Sequence, residues 1–184
     1  MSKGKLFVIS GASGVGKSTV LTKVMQANAH LKFSVSATTR KPRAGEIDGQ
    51  SYYFVSKEAF EEMIRQDAFL EYDAHMENYY GTPKAQLEEK LLECDVILDI
   101  DPNGAFRVRQ TRPDAVLIFI APPSVEELER RLRSRGDTDE KQILVRLDRV
   151  QWEMEQSEKY DYIVINDKVD TCVEEILQII KKYE

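Results

Sequence analysis

Cysteine is scarce in this chain. Among 184 residues there are two, Cys94 and Cys172, with no CxxC pair and no histidine partner near either. That excludes a disulfide framework, so both read as small buried hydrophobes and a reducing cytoplasm is expected. Long apolar runs are missing as well. The opening stretch Met-Ser-Lys-Gly-Lys leads into Leu6–Ile9, which is too short for a signal-peptide core and far too short to cross a bilayer. There is no excess of positive charge. Lysine plus arginine number 26 against 32 aspartates plus glutamates, a net charge of -6 that disfavours a general nucleic-acid binder. Internal repeats and low-complexity tracts are also absent, so the chain does not read as a solenoid or a linker.

What remains is a globular composition, 42% hydrophobic and 32% charged. The length suits one domain, or one domain with inserted lobes. Short β-branched runs at Leu6–Ser10, Val96–Asp101, Val116–Ile120 and Tyr162–Asn166 read as buried strands, with Phe33–Ala37 a weaker fifth. Helical patterns cover Lys17–Ala29, Lys84–Glu93, Ser124–Arg135, Asp139–Lys159 and Thr171–Tyr183. Thr82-Pro83 reads as a cap plus a first-position proline, and Ser124 with Glu127 as a capping box. This alternation predicts an α/β three-layer sandwich around a parallel sheet. Between Thr38 and Gly81 it breaks, with an aromatic run at Tyr52–Val55, a helix at Lys57–Gln66 and a short run at Phe69–Ala74. That region reads as an inserted lobe, and Ser134–Gln142 as a mobile segment between helices.

Gly11-Ala12-Ser13-Gly14-Val15-Gly16-Lys17-Ser18, followed by Thr19, fits G-x-x-x-x-G-K-[ST] between a strand and a helix. Bare backbone N–H groups can nest phosphate oxygens, and the helix end adds a positive dipole. Lys17 adds a charge at the β/γ-phosphates, and Ser18 offers a hydroxyl to Mg²⁺. The bland alternative is a glycine-rich turn with an incidental lysine. The motif predicts a P-loop NTPase fold and a nucleoside triphosphate, without choosing the reaction.

Ser34–Phe54 contains Arg40 and Arg43 around Pro42, then Tyr52 and Tyr53; Tyr79 and Tyr80 follow later. Guanidinium forks suit bidentate phosphate binding, so a second phosphate site is one reading and an exposed basic loop the other. Asp99 and Asp101 share one face at the carboxyl end of a buried strand, where ligands of open α/β sheets sit.

"SVSATTRKPRAGEIDGQSYYFV", "FLEYDAHMENYYGTP", "ILDID", "IFIAPPS" and "YDYIVIND", taken with the glycine-rich loop, resemble guanylate kinase over nearly the whole length. The resemblance implies transfer of the γ-phosphoryl of ATP to GMP, and to dGMP as a second acceptor, with Mg²⁺ as cofactor and no covalent intermediate. It implies a five-stranded parallel core at 1–33 and 82–184, a GMP-binding lobe at 34–81 and a helical lid at about 134–146. By the same resemblance, Arg40, Arg43, Tyr52 and Tyr80 hold the GMP phosphate, and Ser36, Glu71, Thr82 and Asp101 face guanine. Lys17, Arg40, Arg43, Arg135 and Arg146 surround the transferred group; Asp99 orders metal-bound water; Asn166 lies near adenine. Glu71 also has a chemical argument, because a carboxylate offers two acceptors to guanine N1–H and the exocyclic amine, whereas adenine N1 is itself an acceptor. Neither a nucleic-acid nor a membrane partner is implied, and monomer and homo-oligomer are both compatible.

Three features depart from the family pattern: Leu92–Asp95 is short and lacks a glycine, Pro102-Asn103 follows Asp101, and the lid has Arg146 alone where relatives have a pair. Two rivals compete. A peptide-binding scaffold domain usually lacks a working loop such as Gly16-Lys17-Ser18, and a sugar-phosphate kinase has no purine edge for Glu71 to read.

Overall fold

The computed structural model describes residues 4–75, 77–134 and 140–183. Five parallel strands form the main sheet. They are β1 (Leu6–Gly11), β2 (Leu31–Phe33), β7 (Asp95–Asp99), β8 (Val116–Ala121) and β9 (Tyr162–Ile165), in the order β2-β7-β1-β8-β9. Every side chain of β8 is buried, and Leu6 to Ile9 of β1 are 0% exposed, as strands covered on both faces must be. Two helices cover one side: α1 (Lys17–Ala27) through Val20, Leu21 and Val24, and α7 (Val169–Lys181) through Cys172, Val173, Ile176, Ile179 and Ile180. Burying each such aliphatic side chain stabilises the fold by roughly 1.5–3 kcal/mol, which makes this layer the rigid floor of everything above it.

A second sheet has the order β4-β3-β6-β5, made of β3 (Ala37–Thr38), β4 (Tyr53–Phe54), β5 (Phe69–His75) and β6 (Asn78–Pro83). Here α2 (Lys57–Arg65), capped by Ser56 accepting the Ala59 N–H, supplies Phe60. Phe60 stacks on Phe69 at 4.3 Å and on Tyr79 at 5.2 Å, a small core separate from the main one.

Several expectations need correction. The run Phe33–Ala37 is not one strand. Leu31–Phe33 ends in the main sheet, and the chain crosses through Ser34–Ser36 to the second. The strand at Asn78–Pro83 was not expected. Neither was α4 (Pro102–Thr111), although Asp101 caps it by accepting the Gly104 N–H at 2.9 Å and Pro102 occupies its first turn. The departure Pro102-Asn103 is therefore a helix start, with the proline at the position where its missing N–H costs nothing. Thr82 does not cap α3 (Lys84–Leu91), because its hydroxyl is turned to Glu71 and Pro83 holds the cap position. The capping serine of α5 (Val125–Ser134) is as expected: Ser124 accepts the Glu127 N–H at 3.1 Å. The long charged helix is α6 (Glu140–Gln156), followed by a 3₁₀ turn at Ser157–Lys159. Gly136 lies outside the described residues.

Candidate functional site

The carboxyl ends of β1 and β7 open into a cleft of about 850 Å³ between the two sheets and α6. One wall is the loop between β1 and α1. Gly14 and Gly16 there have φ of 82° and 89°, a conformation that a side chain would strain. The loop is tied down from behind. The Ala12 N–H donates to Ile120 O at 3.2 Å, and the Asn166 amide donates to Val15 O at 2.8 Å. Gly11 through Ser18 all line the cleft, and the Lys17 ammonium pairs with the Asp99 carboxylate across it. Thr19 sits in the first turn of α1, donating to Gly16 O, and does not line the cleft.

The floor holds Glu71 from β5, 8% exposed, whose Oε1 accepts the Thr82 hydroxyl at 2.6 Å. Burial pushes its carboxyl above the usual carboxylate value, and the nearby Asp101 adds to the rise, while Thr82 opposes it. Gly104 packs against this carboxylate: a Cβ there would stand 3.2 Å from Glu71 Oε2. Ser36, Asp101, Tyr52 and Tyr80 line the same cleft, so four segments far apart in sequence meet on one floor.

The arginine loop stands at the edge. Arg40 grips Glu46 with both prongs, NH1 to Oε2 at 2.9 Å and NH2 to Oε1 at 2.7 Å, and its guanidinium lies 5.4 Å from the Tyr52 ring centre. Arg43 is exposed, and its main-chain N–H donates to Glu46 at 2.7 Å. Neither arginine lines the cleft itself. A phosphate bound beside them would compete with Glu46 for Arg40.

Asn166 was expected beside an adenine. Its visible contact is under the loop, where it is 3% exposed and holds Val15 rather than lining the cleft. Arg146 lines the cleft from α6, and Arg135 lies outside the described residues. Sequence reasoning missed three cleft residues of α6, Val145 and the charged Arg149 and Glu153. A signal was present: Arg146, Arg149 and Glu153 follow one another at intervals of three and four, which places them on one helical face. Asp73 from β5 also reaches the cleft unanticipated. Among the described residues no group of three or more histidine, cysteine or acidic side chains could enclose a metal ion. None of the described helices is long and apolar enough to cross a membrane.

Known proteins resemble this chain throughout. The family model described as guanylate kinase matches residues 3–183. A guanylate kinase of Caldanaerobacter subterraneus subsp. tengcongensis is 48% identical over 97% of this chain and 87% of its own length. One from Clostridium tetani is 49% identical over 98% and 86%. The crystal structure of guanylate kinase from Anaplasma phagocytophilum superposes with a TM-score of 0.77 at 33% identity, covering 99% of this chain and 87% of that one.

Proposed function

The chain belongs to the guanylate kinase family and is an ATP:GMP phosphotransferase, and we propose that the cleft works by holding the two nucleotides end to end between the glycine-rich loop and Glu71. The supporting observation is that the glycine-rich loop and a buried, purine-compatible carboxylate line one cavity. In this reading, Gly11 to Thr19 cradle the triphosphate and Lys17 leaves Asp99 to meet the β/γ-phosphates. The monophosphate sits at Arg40, Arg43, Tyr52 and Tyr80. Glu71, Thr82, Ser36 and Asp101 read guanine; dGMP carries the same base edge and is accepted too. Asn166 acts on ATP indirectly, through the shape of the loop.

Both reactants are anions, so the barrier is lowered by positive charge fixed around the transferred group and by alignment, without a covalent intermediate. Lys17, Arg40, Arg43 and Arg146 supply that charge, together with Arg135. The hard oxygen donors available beside the loop, the Ser18 hydroxyl and the Asp99 carboxylate, suit Mg²⁺ that remains largely phosphate- and water-bound. When bound, Mg²⁺ neutralises charge on the β- and γ-oxygens. Segments 34–81 and about 134–146 act as the monophosphate lobe and the lid, and the two free thiols fit a cytoplasmic setting.

The test is a coupled assay of ATP with GMP, AMP, CMP and UMP in turn. Turnover is expected with GMP, with the other bases slower by about 10⁴-fold. AMP used as well as GMP would overturn the role of Glu71.

A further inference from the structure

Two cleft residues of α6, Arg149 and Glu153, are joined to each other and to both walls. Glu153 is 3% exposed, yet it carries a carboxylate. Its Oε2 accepts the Ser13 N–H of the loop at 2.7 Å, and its Oε1 accepts Arg149 Nε at 2.9 Å. A terminal nitrogen of Arg149 stands 3.7 Å from Asp101 Oδ2. Asp101 caps α4 through Gly104, and Gly104 abuts Glu71. A continuous polar track thus runs from the triphosphate loop to the purine floor. A buried carboxylate is costly unless its partners compensate, and both partners here belong to this track.

We propose that Glu153 and Arg149 are positioning residues that couple the two nucleotide sites, so that filling the loop tightens the purine pocket for GMP. The proposal rests on the reading that the loop takes ATP and the floor takes GMP. Ser13 belongs to the loop that cradles the phosphates. A terminal phosphate seated there competes with the Glu153 carboxylate for the same N–H and attracts the Arg149 guanidinium. Arg149 then turns from Asp101, which is left free to accept from the exocyclic amine of guanine. The arginine–aspartate contact faces solvent, with side chains 44% and 33% exposed, so the coupling is at the modest end of the usual range, about fivefold.

The experiment is calorimetric titration of the full chain with GMP, with and without saturating Mg²⁺ and the non-transferring analogue β,γ-imido-ATP. The parent is expected to bind GMP about fivefold more tightly when the analogue is present. In Arg149→Ala and in Glu153→Gln the ratio falls below about twofold, and Arg149→Lys recovers part of it. A merely structural pair would lower the melting temperature and both affinities while leaving their ratio intact. An unchanged ratio in Arg149→Ala, or no coupling in the parent, overturns the proposal. If Glu153→Gln does not fold, the half-exposed Arg149 still decides the matter. Failure of the parent to bind GMP or the analogue at all would instead strike the ATP and GMP assignment.

Discussion

The two walls of the cleft are made of opposite materials. One wall is eight consecutive residues, from Gly11 to Ser18, and what it can offer an anion is chiefly main-chain N–H donors. It is fixed from below by β8, from behind by Asn166 and from above by Glu153. The opposite wall gathers side chains from Ser36 to Asp101, carried on two sheets and a loop. The cation at its edge, Arg40, is pre-set by a stand-in anion, Glu46, rather than by a fixed frame. Preorganisation by main chain survives most single substitutions, because the donors are not side chains. Preorganisation by side chains can be dismantled one residue at a time, and that is also how a base can be selected.

The largest expected effect falls on the one side chain that the main-chain wall cannot do without. Lys17→Ala should lower kcat by about 10³-fold, since it removes the only full charge the loop aims at the transferred group. Stability should change by under about 1 kcal/mol, because the Lys17–Asp99 pair is partly exposed at 24% and 38%. Coupled-assay turnover and a thermal melt check both halves of the expectation. Turnover within tenfold of the parent would mean that bare backbone suffices.

Next comes the floor. Glu71→Gln should raise the KM for GMP by about 10–100-fold while ATP affinity is kept, as a charged acceptor is replaced by a half-donor. The pH response follows from burial. Burial raises the pKa of the Glu71 carboxyl above the ordinary carboxylate value, so the folded protein binds this proton more strongly than the unfolded chain. The group therefore favours folding at acid pH, and its contribution is lost as pH rises through the raised pKa. GMP recognition has the opposite sign, because it needs the ionised form. The KM for GMP should climb as pH falls from about 7 to about 5, more steeply in the parent than in Glu71→Gln. Parallel pH profiles in the two proteins would remove Glu71 from base reading.

The same contrast governs what could be read from the chain alone. The loop was legible because its chemistry is contiguous and its spacing is dictated by backbone geometry. Three strands of the main sheet, β1, β7 and β8, were legible because strands buried on both faces must be apolar throughout, and β9 was legible from its β-branched run although Ile163 and Ile165 are exposed. The strand at Asn78–Pro83 was not, since half of Asn-Tyr-Tyr-Gly-Thr-Pro looks polar and its register depends on β5 and β3. The helix after Asp101 was hidden by Pro102-Asn103-Gly104, which reads as a turn until the capping carboxylate is considered. Glu71 on the floor and its buried partner Thr82 were named by resemblance, because no local pattern announces a contact eleven residues apart across a hairpin. Asn166 was placed near adenine by resemblance, the residues themselves reading only as a polar strand end. Its side-chain amide donates to a loop carbonyl. Arg149 and Glu153 were overlooked because charged residues on a long helix ordinarily face solvent.

The smallest effect tests whether the stand-in anion organises the second wall or merely occupies it. Glu46 accepts from both prongs of Arg40 and from the Arg43 N–H, and its own carboxyl is held below the usual range chiefly by the Arg40 hydrogen bond. Glu46→Gln keeps an acceptor for the Arg43 N–H and removes the charge that competes with phosphate. The pair is partly covered, with side chains 15% and 22% exposed, and a carboxamide keeps one acceptor for the guanidinium, so the KM for GMP should fall by no more than about threefold. A rise of tenfold or more would carry the opposite lesson: the carboxylate would then be shaping the arginine loop, and the side-chain wall would be as firmly preset as the main-chain one.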